Sequence, residues 1–233
     1  MCANIQIKMA TVYSFTFNTF AENTYVVYDD TQECVIIDPG CSDARERQRL
    51  ANFIAANNLT PVRLLNTHCH IDHIFGNRFV AETYKLALEI HEGELPVLQA
   101  FPAVAQMLGI GGIQQSPDAS KFLKEGDTLS FGETEFEVLL TPGHSPASVC
   151  FYNKKGKFVL SGDVLFERSI GRTDLLGGNY ETLMNSIFDQ LLTLSDDVVI
   201  YPGHGKATTI GAERSQNPFV LEEFARRKKL NLT

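Results

Sequence analysis

Thr67-His68-Cys69-His70-Ile71-Asp72-His73 gathers three imidazoles and a carboxylate into seven consecutive residues. The whole chain holds 6 His, so scatter is a poor account of three in one short window. Neutral imidazole nitrogen and carboxylate oxygen are the donors that a borderline-soft divalent cation such as zinc prefers. The arrangement is H-x-H-x-D-H, not the H-E-x-x-H of a helical protease site. On extended chain His68 and His70 project to one side, and Asp72 and His73 join them only where the chain turns. One segment is thereby able to feed two neighbouring metals. Cys69, between two candidate ligands, is expected to face away from them.

Three later segments carry donors of the same kind. Thr141-Pro142-Gly143-His144-Ser145 and Tyr201-Pro202-Gly203-His204-Gly205 each place a His on a breaker-rich loop, and Ser161-Gly162-Asp163 places a carboxylate directly after an apolar run. Loops at strand ends are where a rigid scaffold presents functional groups.

The elements that must deliver these groups are legible as apolar runs between turn signals. Strands are expected at Thr11–Phe17, Thr24–Tyr28, Cys34–Ile37 and Val62–Leu65, the last delivering the His cluster at its C-terminal end. Others are expected at Leu86–Ile90, Thr128–Phe131, Thr134–Leu140, Ser148–Phe151, Phe158–Leu160 and Val198–Tyr201. Ser42 is placed to cap a helix running to about Asn57, with Leu50, Phe53 and Ile54 as its apolar stripe. Further helices are expected from about His73, from Tyr180 to Leu192, and beyond Thr208, where Arg226-Arg227-Lys228-Lys229 reads as a solvated helix end. Between about Glu94 and Lys121 the pattern loosens into apolar residues among Gly and Pro, a packed loop or a mobile cover for a pocket. His91 reads as a surface or capping residue, and Tyr25, Phe75 and Phe166 as core or pocket wall. The two halves echo each other: Val35-Ile36-Ile37-Asp38 and Phe158-Val159-Leu160-Ser161-Gly162-Asp163 are both apolar strands ending in Asp. Two similar β-rich halves with outer helices suggest an α+β fold, a four-layer αββα sandwich, with residues 1–233 as one domain.

On Asp38, Thr67–His73, His144, Asp163 and His204, the chain resembles the metallo-β-lactamase superfamily, and within it the hydroxyacylglutathione hydrolase (glyoxalase II) type. The resemblance runs from about residue 11 to 215. It implies the metallo-β-lactamase fold and two divalent metal ions, zinc first, with iron or manganese as alternatives. One metal would be held by His68, His70 and His144, the second by Asp72, His73 and His204, with Asp163 bridging. Asp38 would orient a ligand imidazole, Asp72 would also orient the attacking hydroxide or carry a proton, and Arg172 would bind the substrate or else pair with Asp174. The implied reaction is hydrolysis of a thioester, S-2-hydroxyacyl-glutathione or a related small acyl thiol. Only about 28 residues follow Gly205, too few for the glutathione-binding helical domain of the longer relatives, so a short form is expected. Gly171-Arg172-Thr173-Asp174 with Thr-His-Cys-His also resembles the persulfide dioxygenases of the superfamily. Those would use one iron at His68, His144 and Asp163.

Composition bounds the partners. Lys plus Arg number 20 against 28 Asp plus Glu, a formal charge of −8, which argues against a nucleic-acid surface. A small anionic substrate stays compatible, because two divalent cations make a site locally positive. The 5 Cys are scattered without a C-x-x-C pair, and no leader pattern or long apolar run stands out. The expectation is therefore a cytoplasmic protein with free thiols, without a membrane or nucleic-acid partner.

Overall fold

The structure, a computed structural model, describes residues 10–112 and 114–230. Its first half runs β1 (Thr11–Phe17), β2 (Glu22–Tyr28), β3 (Glu33–Ile37), α1 (Ala44–Ala56), β4 (Thr60–Leu65), α2 (Ile71–Ile74), α3 (Asn77–Tyr84), β5 (Leu88–His91), α4 (Leu95–Gln99), α5 (Phe101–Met107) and β6 (Ala119–Leu123). Its second half runs β7 (Thr128–Phe131), β8 (Thr134–Leu140), β9 (Val149–Asn153), β10 (Phe158–Gly162), β11 (Leu165–Phe166), β12 (Ser169–Ile170), α6 (Tyr180–Asp189), β13 (Val199–Pro202), β14 (Thr208–Thr209), α7 (Ile210–Gln216) and α8 (Pro218–Lys229). Strands β1 to β6 form one sheet in sequence order, and β14-β13-β10-β9-β8-β7 form a second.

Side-chain alternation along the strands builds the layers. On β3, Val35 and Ile37 point into the core shared by the two sheets, while Cys34 and Ile36 point at the first half's helices. On β10, Phe158 and Leu160 join the inter-sheet core while Val159 packs under α6 and its neighbours. Strands covered on both faces read as unbroken apolar runs, as Val35-Ile36-Ile37 does. Three apolar layers between four layers of elements make the αββα sandwich. Within it β3, β4, β5 and β6 are parallel neighbours, as are β10 and β13. Parallel strands end on the same edge, so the segments leaving β3, β4, β10 and β13 gather there. That is the topological reason the donors meet.

Several local expectations are corrected. Asp43, not Ser42, caps α1 by accepting from the Glu46 amide, while Ser42 donates to the Glu46 carboxylate. The helix expected from His73 begins two residues earlier, with α2. The loosened stretch after Glu94 contains α4, α5 and β6, and the prolines of the two helices sit in their first turns, where no amide is missed. The Arg226 and Arg227 side chains are not merely solvated: both bind the buried Glu223, and Arg227 lies over the Phe188 ring. Among the described residues no helix is long and apolar enough to cross a membrane.

Candidate metal centre

The His cluster works because the chain changes direction inside it. Past β4 it stays extended to His70, which stands at the N-terminal edge of α2 with φ −62° and ψ 151°, and the single helical turn that follows carries Asp72 and His73. Asn66 holds that turn, donating to the His73 carbonyl at 3.0 Å and accepting from Asn77 at 2.8 Å. His144 arrives on the loop after β8, Asp163 directly after β10, and His204 after β13. All seven sequence-proposed donors meet at one edge of the sandwich, four following β4 of the first sheet and three following strands of the second.

They fall into two triads. His68, His70 and His144 form one, and Asp72, His73 and His204 the other, with donor atoms in each within 4.8 Å of one another. His70 Nδ1 and His144 Nε2 face each other at 2.9 Å, and His204 Nε2 lies 3.1 Å from Asp72 Oδ2. Asp163 stands between the triads: its Oδ1 is 3.5 Å from His73 Nε2, and its Oδ2 is 3.5 Å from both His144 Nε2 and His204 Nε2. A third close group, Asp38 with His68 and His73, is already committed, because Asp38 accepts from the Thr67 amide at 2.7 Å and from the Thr67 hydroxyl at 2.6 Å.

The rings are aimed from behind. His73 donates from Nδ1 to Asp38 Oδ2 at 3.2 Å, His144 from Nδ1 to the Arg172 carbonyl at 2.8 Å, and His204 from Nδ1 to the Phe20 carbonyl at 3.1 Å. Each such bond fixes the tautomer and leaves Nε2 as the free donor. His68 Nε2, His73 Nε2 and Asp163 Oδ1 are buried without a hydrogen-bond partner. Orphaned polar atoms of this kind are costly, and three among the donors of the two triads fit cations that would satisfy them.

Electrostatics agrees with that fit. Burial and the neighbouring imidazoles hold His68 well below its usual range and push His70 down to about 3, so both present bare lone pairs. Burial lowers His73 too, yet Asp72 and Asp163 outweigh it and raise the ring well above its ordinary value. Burial disfavours ionised Asp163, but His73 and His144 prevail and keep it below the usual carboxylate range.

The centre forms the floor of a cavity of about 740 Å³. Val97, Phe101 and Val104 from α4 and α5 line it, as do Phe166, Leu175 and Phe20. Arg172 also lines the cavity, and its guanidinium makes two hydrogen bonds to Asp174 at 2.7 and 2.8 Å. Of the two alternatives read from its sequence position, the pairing with Asp174 is the one observed.

Other expectations resolve plainly. Cys69 is buried in the apolar layer beneath the helices and belongs to neither donor triad. His91 caps the turn after β5 by accepting from the Gly93 amide. Tyr25 is buried with its hydroxyl donating to the Pro202 carbonyl at 2.6 Å, and Phe75 lies in the first apolar layer.

Sequence reading missed Glu94. Fully buried, it accepts from the Cys69 amide at 2.9 Å, the Ala147 amide at 2.8 Å and the Ser145 hydroxyl at 2.7 Å, tying the His68–His70 segment to the His144 loop. It lies in the stretch where the pattern loosens, and a Glu among turn residues gives no sign of burial. The glycine before His204 has a legible role only here: a Cβ on Gly203 would overlap Asp163 Oδ1 and come within 2.7 Å of the His73 ring.

Known proteins resemble this chain in sequence and in fold. Residues 18–204 match the profile of the Metallo-beta-lactamase superfamily. The Bacillus subtilis (strain 168) protein named probable metallo-hydrolase YqgX is 42% identical over 202 residues, covering 85% of this chain and 92% of its own. The Haemophilus influenzae hydroxyacylglutathione hydrolase GloC is 37% identical over 202 residues, covering 86% and 93%. Among solved structures, TTHA1623 in a di-iron-bound form superposes with a TM-score of 0.80 at 37% identity, covering 89% of this chain and all of that one. ETHE1 from Myxococcus xanthus superposes at 0.73 with 29% identity, covering 96% and 92%. Donor set, sandwich and relatives converge: the chain belongs to the metallo-beta-lactamase superfamily.

Proposed function

We propose that the protein is a binuclear metal-dependent hydrolase of small acyl thioesters. The observation that carries this reading is the pair of donor triads with Asp163 between them at the floor of a cavity. His68, His70 and His144 would hold one cation, Asp72, His73 and His204 the other, and Asp163 would contact both. Zinc suits the donors, and the di-iron form of TTHA1623 makes iron the alternative. Cations bound there supply a water acidic enough to ionise near neutral pH and polarise the substrate carbonyl.

The chain's own groups do the rest. Asp38, the Arg172 carbonyl and the Phe20 carbonyl keep three imidazoles aimed. Asp72 lines the cavity, where its carboxylate would orient the attacking hydroxide or carry a proton. Phe101 and Phe166 line the cavity and would limit bulk water at the reacting carbonyl. A departing thiolate needs no proton from the protein, which makes a thioester the least demanding substrate for this site. Arg172 offers a guanidinium at the cavity rim to a substrate carboxylate, in exchange with Asp174. Both side chains are exposed, so water screens the pair and it parts readily.

The test is thiol release from a panel of acyl thioesters that includes S-D-lactoylglutathione, using protein loaded with zinc or with iron. GloC's name motivates that reference substrate. The expected result is turnover that His68→Ala and chelation both abolish. Folded, metal-loaded protein that releases no thiol from any member would overturn the reading. The similarity to ETHE1 then makes oxygen consumption with a persulfide and the iron-loaded protein the next measurement.

A further inference from the structure

The walls of the cavity differ in kind from its floor. Floor donors are polar and charged, whereas α4, α5 and the segment after Arg172 present Val97, Val104, Met107, Leu108, Leu175 and Leu176. Met107 is 77% exposed and Leu176 67%. Scattered surface apolar side chains need no explanation, but a contiguous group at the mouth of a site does. Five of the eleven large, exposed apolar side chains among the described residues (Phe20, Met107, Leu108, Leu175 and Leu176) line this one cavity. Arg172 is the sole Lys or Arg among the described lining residues, so the walls answer one substrate carboxylate at most. A glutathione thioester brings two carboxylates and an ammonium group, which such walls leave largely unmatched. A methylene chain is matched along its length.

We propose that the preferred substrate is a thioester bearing an aliphatic tail, with the reacting carbonyl over the donor triads and the tail along the α4–α5 wall. This rests on the hydrolase reading above and narrows its substrate class. Hydrolysis breaks the acyl carbon–sulfur bond, adds water across it, and yields a carboxylate, a thiol and, at neutral pH, a proton. The tail can belong to the acyl group or to the leaving thiol, and the two are separable by experiment.

The experiment measures kcat/KM of the metal-loaded protein on two series. One is acyl N-acetylcysteamine thioesters from acetyl to decanoyl, and the other is acetyl thioesters of alkanethiols of increasing length. S-D-lactoylglutathione serves as the charged reference. In one series kcat/KM should rise by about fourfold per methylene until the cavity is filled, which is about 0.8 kcal/mol per buried CH₂ converted at room temperature. The series that rises identifies the side carrying the tail. Met107→Glu with Leu176→Glu, both at exposed positions, should flatten that slope. A parallel binding series of linear carboxylates from butanoate to decanoate, read by calorimetry, should tighten with length and lose that dependence in the double variant.

Flat slopes in both kinetic series, or a clear preference for S-D-lactoylglutathione over every aliphatic member, would overturn the proposal while leaving the hydrolase reading intact. Absence of all thioester turnover would sink the hydrolase reading, and the carboxylate series would still decide whether the cavity takes an aliphatic tail. Flat binding there, or concentration-dependent dimerisation abolished by the double variant, would assign the apolar mouth to something other than substrate.

Discussion

The Ser145 hydroxyl sits 2.7 Å from both carboxylate oxygens of Glu94, and the same carboxylate accepts the amides of Cys69 and Ala147. Glu94 is thus the buried strut between the two stretches that supply the first donor triad. Burial raises its carboxyl above the ordinary value, and the Ser145, Ala147 and Cys69 donors partly offset that cost. Glu94→Ala would leave two buried amides and a hydroxyl unpaired, at about 1–3 kcal/mol for each stranded group. The expected outcome is a clearly lower unfolding midpoint and metal affinity weaker by about 10–100-fold. Metal titration followed by thermal unfolding measures both, and unchanged affinity would show that the strut is dispensable.

Asp38 combines two demands. Its backbone sits at φ 49°, a conformation that Asn tolerates better than most residues, while its side chain holds Thr67 and aims His73. Asp38→Asn should therefore fold and keep its sheet structure, yet bind metal about 10–100-fold more weakly. Asp38→Ala adds backbone strain, so it should also lose stability. Equal metal affinity in the wild type and Asp38→Asn would remove the carboxylate from its aiming role.

Gly203→Ala is expected to be out of proportion to its size. The added methyl competes for the volume of Asp163 Oδ1 and crowds His73, so the carboxylate between the triads has to move. A displacement near 1 Å at a reacting centre costs on the order of 100-fold in rate. The check is thioester turnover and metal stoichiometry in a variant whose circular dichroism matches the wild type. Full activity would contradict the close fit of this loop against Asp163.

The thiols give a prediction in pH. Burial pushes Cys34, Cys41 and Cys150 up to about 12 and raises Cys69 as well. These groups remain protonated in the folded protein where an unfolded thiol, near 9.0, begins to ionise. Their contribution to stability is complete below that value and declines as pH rises from about 9 towards 12. A Cys2→Ser protein, which confines the count to these four, should resist a disulfide reagent at about pH 8 until denatured. Rapid labelling of the native protein would show that one of them is open to solvent.

The sequence made the donors legible because their chemistry is carried by residue identity. His and Asp at strand ends remain visible whatever the packing, and the apolar runs of β3, β8 and β10 mark buried strands with little ambiguity. The α2 turn that separates Asp72 and His73 from the other two ligands was only inferable as a need to bend, since it spans four residues and has no side-chain cap. α4 and α5 escaped because five- and seven-residue helices are shorter than the apolar periodicity that would reveal them. Asp43 overtook Ser42 as cap because Glu46 claims the Ser42 hydroxyl, a competition decided only once the chain folds. Glu94 stayed hidden because its three partners lie 25 to 53 residues away.

The α4–α5 wall has a thermodynamic consequence separate from its shape. Neither helix has a side-chain cap at its N-terminus, and helices this short gain little from their own hydrogen bonds. Asn66 and Asp38, by contrast, pin the floor through buried bonds to Thr67 and His73. Local opening therefore costs least in the wall and most in the floor. In hydrogen exchange, amides of residues 95–107 should lose protection well before those of residues 66–73. Access to the cavity can be gained by transient melting of two short helices, with the donor geometry beneath them undisturbed.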